Sequence, residues 1–161
     1  MQREIVTIGV YGFERAAFLQ ALLDAHVTIF CDLRARRGMR GSRYAFANSA
    51  RLQQALQEIG ISYIHCKDLA PSAALRSVQT EEDKQAHIAK RERSILSQRF
   101  TQGYEQEYLS QFNPELFLTQ IKGETGVICL FCVEREPDAC HRSLIANRLQ
   151  KELGLRVTHI L

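Results

Sequence analysis

Six apolar or thiol residues run unbroken from Val127 to Cys132 (Val-Ile-Cys-Leu-Phe-Cys), and a strongly polar segment follows at once. A run of that length with no alternating polar residue suits a strand covered on both faces, as in the middle of a parallel sheet. Such a strand needs helices above and below it, which points to a layered α/β architecture. Val133-Glu134-Arg135-Glu136-Pro137-Asp138-Ala139 is too polar, and too clearly marked by its proline, to stay in the sheet. After Cys140-His141-Arg142-Ser143, residues Leu144, Ile145, Leu149 and Leu153 recur at helical spacing. Gly154 stops that helix, and Arg156-Val157-Thr158-His159-Ile160 alternates as a closing strand. Two thiols, a carboxylate, an imidazole and a guanidinium therefore fall between a strand's carboxyl end and a helix's amino end. The free N–H groups and dipole of that end favour anions and thiolates.

The earlier chain repeats the strand-helix alternation. Ile5-Val6-Thr7-Ile8 predicts a strand ending at Gly9, and Phe18, Leu19, Leu22 and Leu23 mark one face of a helix from about Glu14 to Asp24. Val27-Thr28-Ile29-Phe30-Cys31 predicts a second strand running into Asp32-Leu33-Arg34. Leu52, Leu56 and Ile59 organise a second helix, and Ile61-Ser62-Tyr63-Ile64-His65 a third strand. Short links between such units imply right-handed crossovers and parallel pairing. The pattern breaks after Cys66. Glu81 to Phe100 is rich in helix formers, with Ile88, Ile95 and Leu96 as a thin apolar stripe. Tyr104, Tyr108, Leu109 and Phe112 suggest a further short helix, and Pro114-Glu115 opens another through Ile121. The expected fold is a three-layer, Rossmann-like α/β domain spanning residues 1–161, with a mainly parallel sheet and a helical insertion over about 67–122.

Composition narrows the setting. No window of about 18 apolar residues exists, so no membrane span is expected. Five cysteines is an odd number, and two lie inside apparent buried strands, which suits reduced thiols in a cytoplasm. The amino terminus lacks a signal-peptide core. A net charge of +3 identifies no partner, but Arg34, Arg36, Arg37, Arg40 and Arg43 cluster in a stretch without a single acidic residue. A phosphate-rich partner explains that cluster as well as a solvated loop does.

Parallel strands deliver their carboxyl ends to one edge, where open α/β sheets bind ligands. That edge collects Gly9, Asp32 with Arg34, Tyr63 with His65, and Cys132 with Glu134; the helix start adds Cys140, His141 and Arg142. Candidate catalytic groups are Cys132, Glu134, His65 and Asp32: a nucleophile, bases and an orienter. Candidate anion-binding groups are Arg34, Arg37, Tyr63, Cys140, His141 and Arg142. Each has a plainer reading. Asp32 can pair with Arg34, His65 can close a strand, Asp138 can cap the helix, and Arg142 can pair with Glu134 or Asp32. Cys129 reads as core. The Cys129-x-x-Cys132 spelling is a poor metal clamp, because strand residues three apart face opposite ways. No metal and no cofactor is expected.

The chain resembles the bacterial and archaeal domain-of-unknown-function family 488. The resemblance rests on Thr7-Ile8-Gly9, Asp32-Leu33-Arg34, Tyr63-Ile64-His65, Cys132-Val133-Glu134, Cys140-His141-Arg142 and Val157-Thr158-His159-Ile160, in the family's order. It implies a compact α/β domain with functional weight on those edge residues, and supplies no reaction. The family tends to carry glycines after the Tyr-x-His strand, where this chain has Leu69-Ala70-Pro71. A looser similarity, at the level of fold, is to rhodanese-like domains, which also place a cysteine at a strand end before a helix. Three functions follow as expectations. One is an enzyme acting on an anionic nucleotide or nucleic-acid phosphate. The others are a nucleic-acid-binding module without chemistry, and a thiol sulfur carrier using Cys132 or Cys140.

Overall fold

The computed structural model describes residues 2–123 and 125–161. Its strands are β1 (Glu4–Ile8), β2 (Val27–Asp32), β3 (Ser62–His65), β4 (Val127–Phe131) and β5 (Arg156–Ile160). Its α-helices are α1 (Arg15–Asp24), α2 (Ser49–Glu58), α3 (Ala73–Gln85), α4 (Gln98–Glu107), α5 (Pro114–Gln120) and α6 (Arg142–Leu153). The strands form one sheet in the order β3-β2-β4-β1-β5. Every pairing is parallel.

The unbroken apolar run becomes β4, buried along its whole length between β2 and β1. Its two faces feed two cores. Cys129 and Phe131 pack with Phe18 and Leu22 of α1 and Leu52 and Leu56 of α2. Ile128 and Leu130 pack with Leu75, Phe100, Tyr104 and Phe117 of α3, α4 and α5, and with Ile145 and Leu149 of α6. Helices thus cover both faces, as the sequence led us to expect. Among the described residues no helix is long and apolar enough to cross a membrane.

The strand order creates the crevice that matters. The chain steps from β1 past an empty place to β2 and β3, then returns through α3, α4 and α5 to set β4 into that place. The loops after β1 and β2 lead to helices on one face, while the loop after β4 leads to α6 on the other. The parting of these loops puts the switch point of the sheet, where open α/β sheets take ligands, at the carboxyl end of β4.

The insertion departs from the periodicity reading. The helix-forming stretch Glu81–Phe100 is not one helix: α3 starts earlier, at Ala73, and ends at Gln85. The amides of Leu75 and Phe100 donate to the hydroxyls of Ser72 and Ser97, so two serine caps, not the stripe, set the helix starts. His87 takes a positive φ of 56°, which breaks the helix. Residues 86–97 form an irregular strap in which Leu96 is buried while Ile88 and Ile95 are exposed. The predicted helix around Tyr104–Phe112 is the second half of α4 and a following single turn.

Candidate active site

Two buried polar groups flank the carboxyl end of β4. The first joins β2 to β3. Register sets Asp32 beside His65 and Phe30 beside Tyr63. Asp32 is fully buried, and its two oxygens take the Arg34 guanidinium side-on, from Nε at 2.9 Å and Nη2 at 2.8 Å. They also accept the Arg34 amide at 3.1 Å and the Tyr63 hydroxyl at 2.6 Å. Arg34 Nη1 donates to the Ala47 carbonyl, and its guanidinium lies over the Phe131 ring at 4.8 Å. His65 Nε2 meets the Arg34 carbonyl at 2.8 Å, which makes that nitrogen the protonated one. Arg37 reaches the Tyr63 hydroxyl at 3.3 Å. Burial pushes the Tyr63 phenol up, so it stays a donor.

The second group sits in the loop from β4 to α6. Backbone contacts fold this loop over β1: Val10 and Tyr11 both donate to the Val133 carbonyl, at 3.0 and 3.1 Å. A Cβ at Gly9 would stand 1.8 Å from the Glu134 carbonyl oxygen, so only glycine admits the crossing. Arg142 is fully buried and grips the loop from beneath, through Nη1 to the Glu134 carbonyl at 2.5 Å and Nη2 to the Arg135 carbonyl at 3.0 Å. Its Nε is buried without a partner among the described residues.

Folding the loop back brings Cys132, Cys140 and His141 together. One sulfur or ring-nitrogen atom from each lies within 4.8 Å of the others, and all three residues are buried. Cys140 Sγ stands 3.7 Å from His141 Nδ1. His141 Nε2 stands 3.2 Å from the Leu33 carbonyl, an acceptor only. Nε2 therefore donates to that carbonyl, and Nδ1 is the ring nitrogen turned toward Cys140. The Leu33 carbonyl is the direct link between the two polar groups, because Leu33 lies between Asp32 and Arg34. Burial would raise the Cys140 thiol. The Cys132 hydrogen bond, the His141 imidazole and the Arg142 charge outweigh it and hold Cys140 well below the ordinary thiol range. Cys132 shifts the other way, pushed up by its hydrogen bond to Cys140 and by burial.

The strap is tied to this loop. Arg93 reaches Glu134 Oε1 through Nη2 at 2.8 Å, Asp83 through Nη1 at 2.8 Å, and the Ala139 carbonyl through Nε at 3.1 Å. Leu96 donates its amide to the Asp138 carbonyl at 2.8 Å. Lys90 Nζ lies 3.6 Å from the same Oε1 of Glu134. Burial raises the Glu134 carboxyl, with the Cys140 thiolate adding to it. The Arg91 guanidinium stands 5.4 Å from the Tyr11 ring and 5.6 Å from the Tyr44 ring, and Arg43 covers Tyr44 at 5.1 Å. Lys90, Arg91 and Arg43 are exposed, so the rim is positive.

The structure thus gathers Asp32, Arg34, Tyr63, His65 and Arg37 into one network, and Cys132, Glu134, Cys140, His141 and Arg142 into another. Cys129 is left in the core, outside the thiol cluster. Sequence reasoning missed Lys90, Arg91, Arg93, Tyr11 and Tyr44. The run Lys90-Arg91-Glu92-Arg93 was their one signal, and it was hidden inside a stretch read as helix. A family model described as "Domain of unknown function DUF488" matches residues 14–149. No curated protein and no solved structure matches the chain.

Proposed function

The chain belongs to the DUF488 family, and from that premise we propose that it is an enzyme acting on a phosphate-bearing anion in the crevice above β4. The observation that carries this reading is the meeting of a buried carboxylate with a rim of exposed cations. Lys90, Arg91 and Arg43 draw the anion in and hold its phosphate. Glu134 lies beneath them. Arg93 and Lys90 both hold Glu134 at Oε1, and this fixed carboxylate is the base that takes a proton from an attacking water. The Asp32–Arg34–Tyr63 network positions the Leu33 carbonyl, and Arg142 shapes the loop; neither meets the substrate.

A thermal-shift screen over nucleotides, short oligonucleotides and polyphosphates tests the reading. At least one ligand should stabilise the parent chain and not the R43A/R91A variant. Glu134→Gln should keep that stabilisation and abolish turnover of the same ligand. If no phosphate compound binds, or if Glu134→Gln turns it over normally, the reading fails.

A further inference from the structure

Two thiols and an imidazole have no part in that reading, yet they converge at its centre. We propose that Cys132, Cys140 and His141 hold a single thiophilic divalent cation of the zinc class, with its fourth position open toward the crevice. The proposal rests on the reading above, because the open position serves the same substrate.

Distance is the first argument. Zinc binds thiolate sulfur at about 2.3 Å and imidazole nitrogen at about 2.0–2.1 Å in tetrahedral sites, so ligand atoms lie roughly 3.5–3.8 Å apart. Cys140 Sγ and His141 Nδ1 are 3.7 Å apart. The mutual separations within the trio, none above 4.8 Å, leave only a small contraction for binding. Orientation is the second. A metal-ligating histidine characteristically donates its other ring N–H to a carbonyl or carboxylate, which fixes the ring and its tautomer. His141 does this through Nε2 to the Leu33 carbonyl, and that carbonyl is held between the paired side chains of Asp32 and Arg34. The network at β2 then acts as the outer support of the ligand.

Charge is the third argument. Two thiolates and a neutral imidazole cancel a divalent ion, so loading adds no net charge to a buried place. Glu134 beside it is already matched by Arg93 and Lys90. The donor set also selects its ion: thiolates favour zinc-class over magnesium-class cations. Among the described residues the trio has no fourth sulfur, imidazole or carboxylate ligand within the cluster. Three protein ligands with one open vertex is the pattern of a catalytic rather than a structural zinc. A water at that vertex is acidified, and it would lie on the loop that carries Glu134.

The test uses cobalt(II) alone, a spectroscopic stand-in for zinc, on the full reduced chain after chelator treatment. The parent should take up one equivalent, with the intense visible bands of a tetrahedral ion and a thiolate-to-cobalt charge-transfer band. Zinc should bleach both. Cys132→Ser should cut the charge-transfer band to about half, and C132S/C140S should remove it. Cys66→Ser should leave it intact. A second readout needs no variant: in the parent, zinc should shield Cys132 and Cys140, and no other cysteine, from alkylation. Weak octahedral bands, or alkylation of both thiols at the same rate with and without zinc, would overturn the site. If the cobalt bands fail while phosphate binding and the Glu134→Gln effect persist, the metal falls and the enzyme reading stands. Bands without binding of any phosphate compound would leave the metal site standing and remove the phosphate-enzyme reading.

Discussion

The two polar groups beside β4 both reach into the core and are differently built. At the centre of the Asp32 network the charges are answered from within: both carboxylate oxygens, the guanidinium of Arg34 and the phenol of Tyr63 bond one another, with Arg37 at the edge on the Tyr63 hydroxyl. In the β4–α6 loop the sulfur and nitrogen atoms of Cys132, Cys140 and His141 point at a common space instead. A closed network has no bonding capacity left for a ligand; its energy lies in holding chain together. A convergent cluster has that capacity and adds little to the fold. Asp32 and Arg34 drew attention in the sequence as catalytic and anion-binding groups; in the reading proposed above, the thiol cluster is the site and they are its frame.

Breaking Asp32 should have the largest effect. Asp32→Ala leaves Arg34 buried and unpaired, which costs about 3–5 kcal/mol. Urea unfolding should show that loss, while Cys140→Ala, measured without metal, should cost much less. Equal losses would erase the distinction between frame and site.

Arg93 comes next, because it ties the strap to the site. Arg93→Ala strips a charged donor from both Glu134 and Asp83, a loss of about 1.5–3 kcal/mol if the strap stays docked. Stability is not the sharper readout, however. The strap should open locally, so limited proteolysis should cut residues 86–97 of the variant well before the parent. Protection unchanged in Arg93→Ala would mean that the strap is held by Leu96 and Gln79 instead, the latter through its side-chain oxygen on the Ser97 amide.

Tyr63→Phe probes the network more gently. It removes one donor from Asp32 and a contact with Arg37, for about 0.5–1.5 kcal/mol. A cost as large as that of Asp32→Ala would show that Arg34 alone cannot neutralise the carboxylate.

How much of this was legible follows from how each part is made. β4 was legible because covering a strand on both faces forces an unbroken apolar run. Cys140-His141-Arg142 was legible because a helix start is marked locally. The partnership of Cys132 with Cys140 was not. It depends on a loop folded over β1, and that fold is set by Gly9 meeting Glu134, a contact between distant segments. The Cys129-x-x-Cys132 spelling was set aside because strand residues three apart face opposite ways, but spacing within a strand says nothing about what returns from beyond it. Lys90, Arg91 and Arg93 were hidden because their stretch has helix-forming residues throughout, while Ser72 and Ser97 decide where the helices begin.

The smallest effect expected is one of pH, and it reports on the charge at the site from outside it. His159 on β5 meets the Thr7 hydroxyl at 2.7 Å through Nδ1. Burial lowers its affinity for a proton, and the Arg142 charge adds to that. The unfolded chain therefore binds the proton more tightly than the folded one. Stability from this residue is then fully present above the ordinary imidazole value of about 6.5. It falls as pH drops below that value, and levels off once the folded ring is protonated. The ring is partly exposed, so solvent screens the effect and it should stay smaller than that of Tyr63→Phe. An NMR titration should place the His159 midpoint below the ordinary imidazole value of about 6.5, and His159→Gln should flatten the stability profile in that window. Arg142→Gln, if it folds, should raise the midpoint, because the positive charge beneath the loop is then gone. A midpoint indifferent to Arg142 would mean that the guanidinium is already neutralised locally, and the Cys140 thiolate is the anion placed to do so.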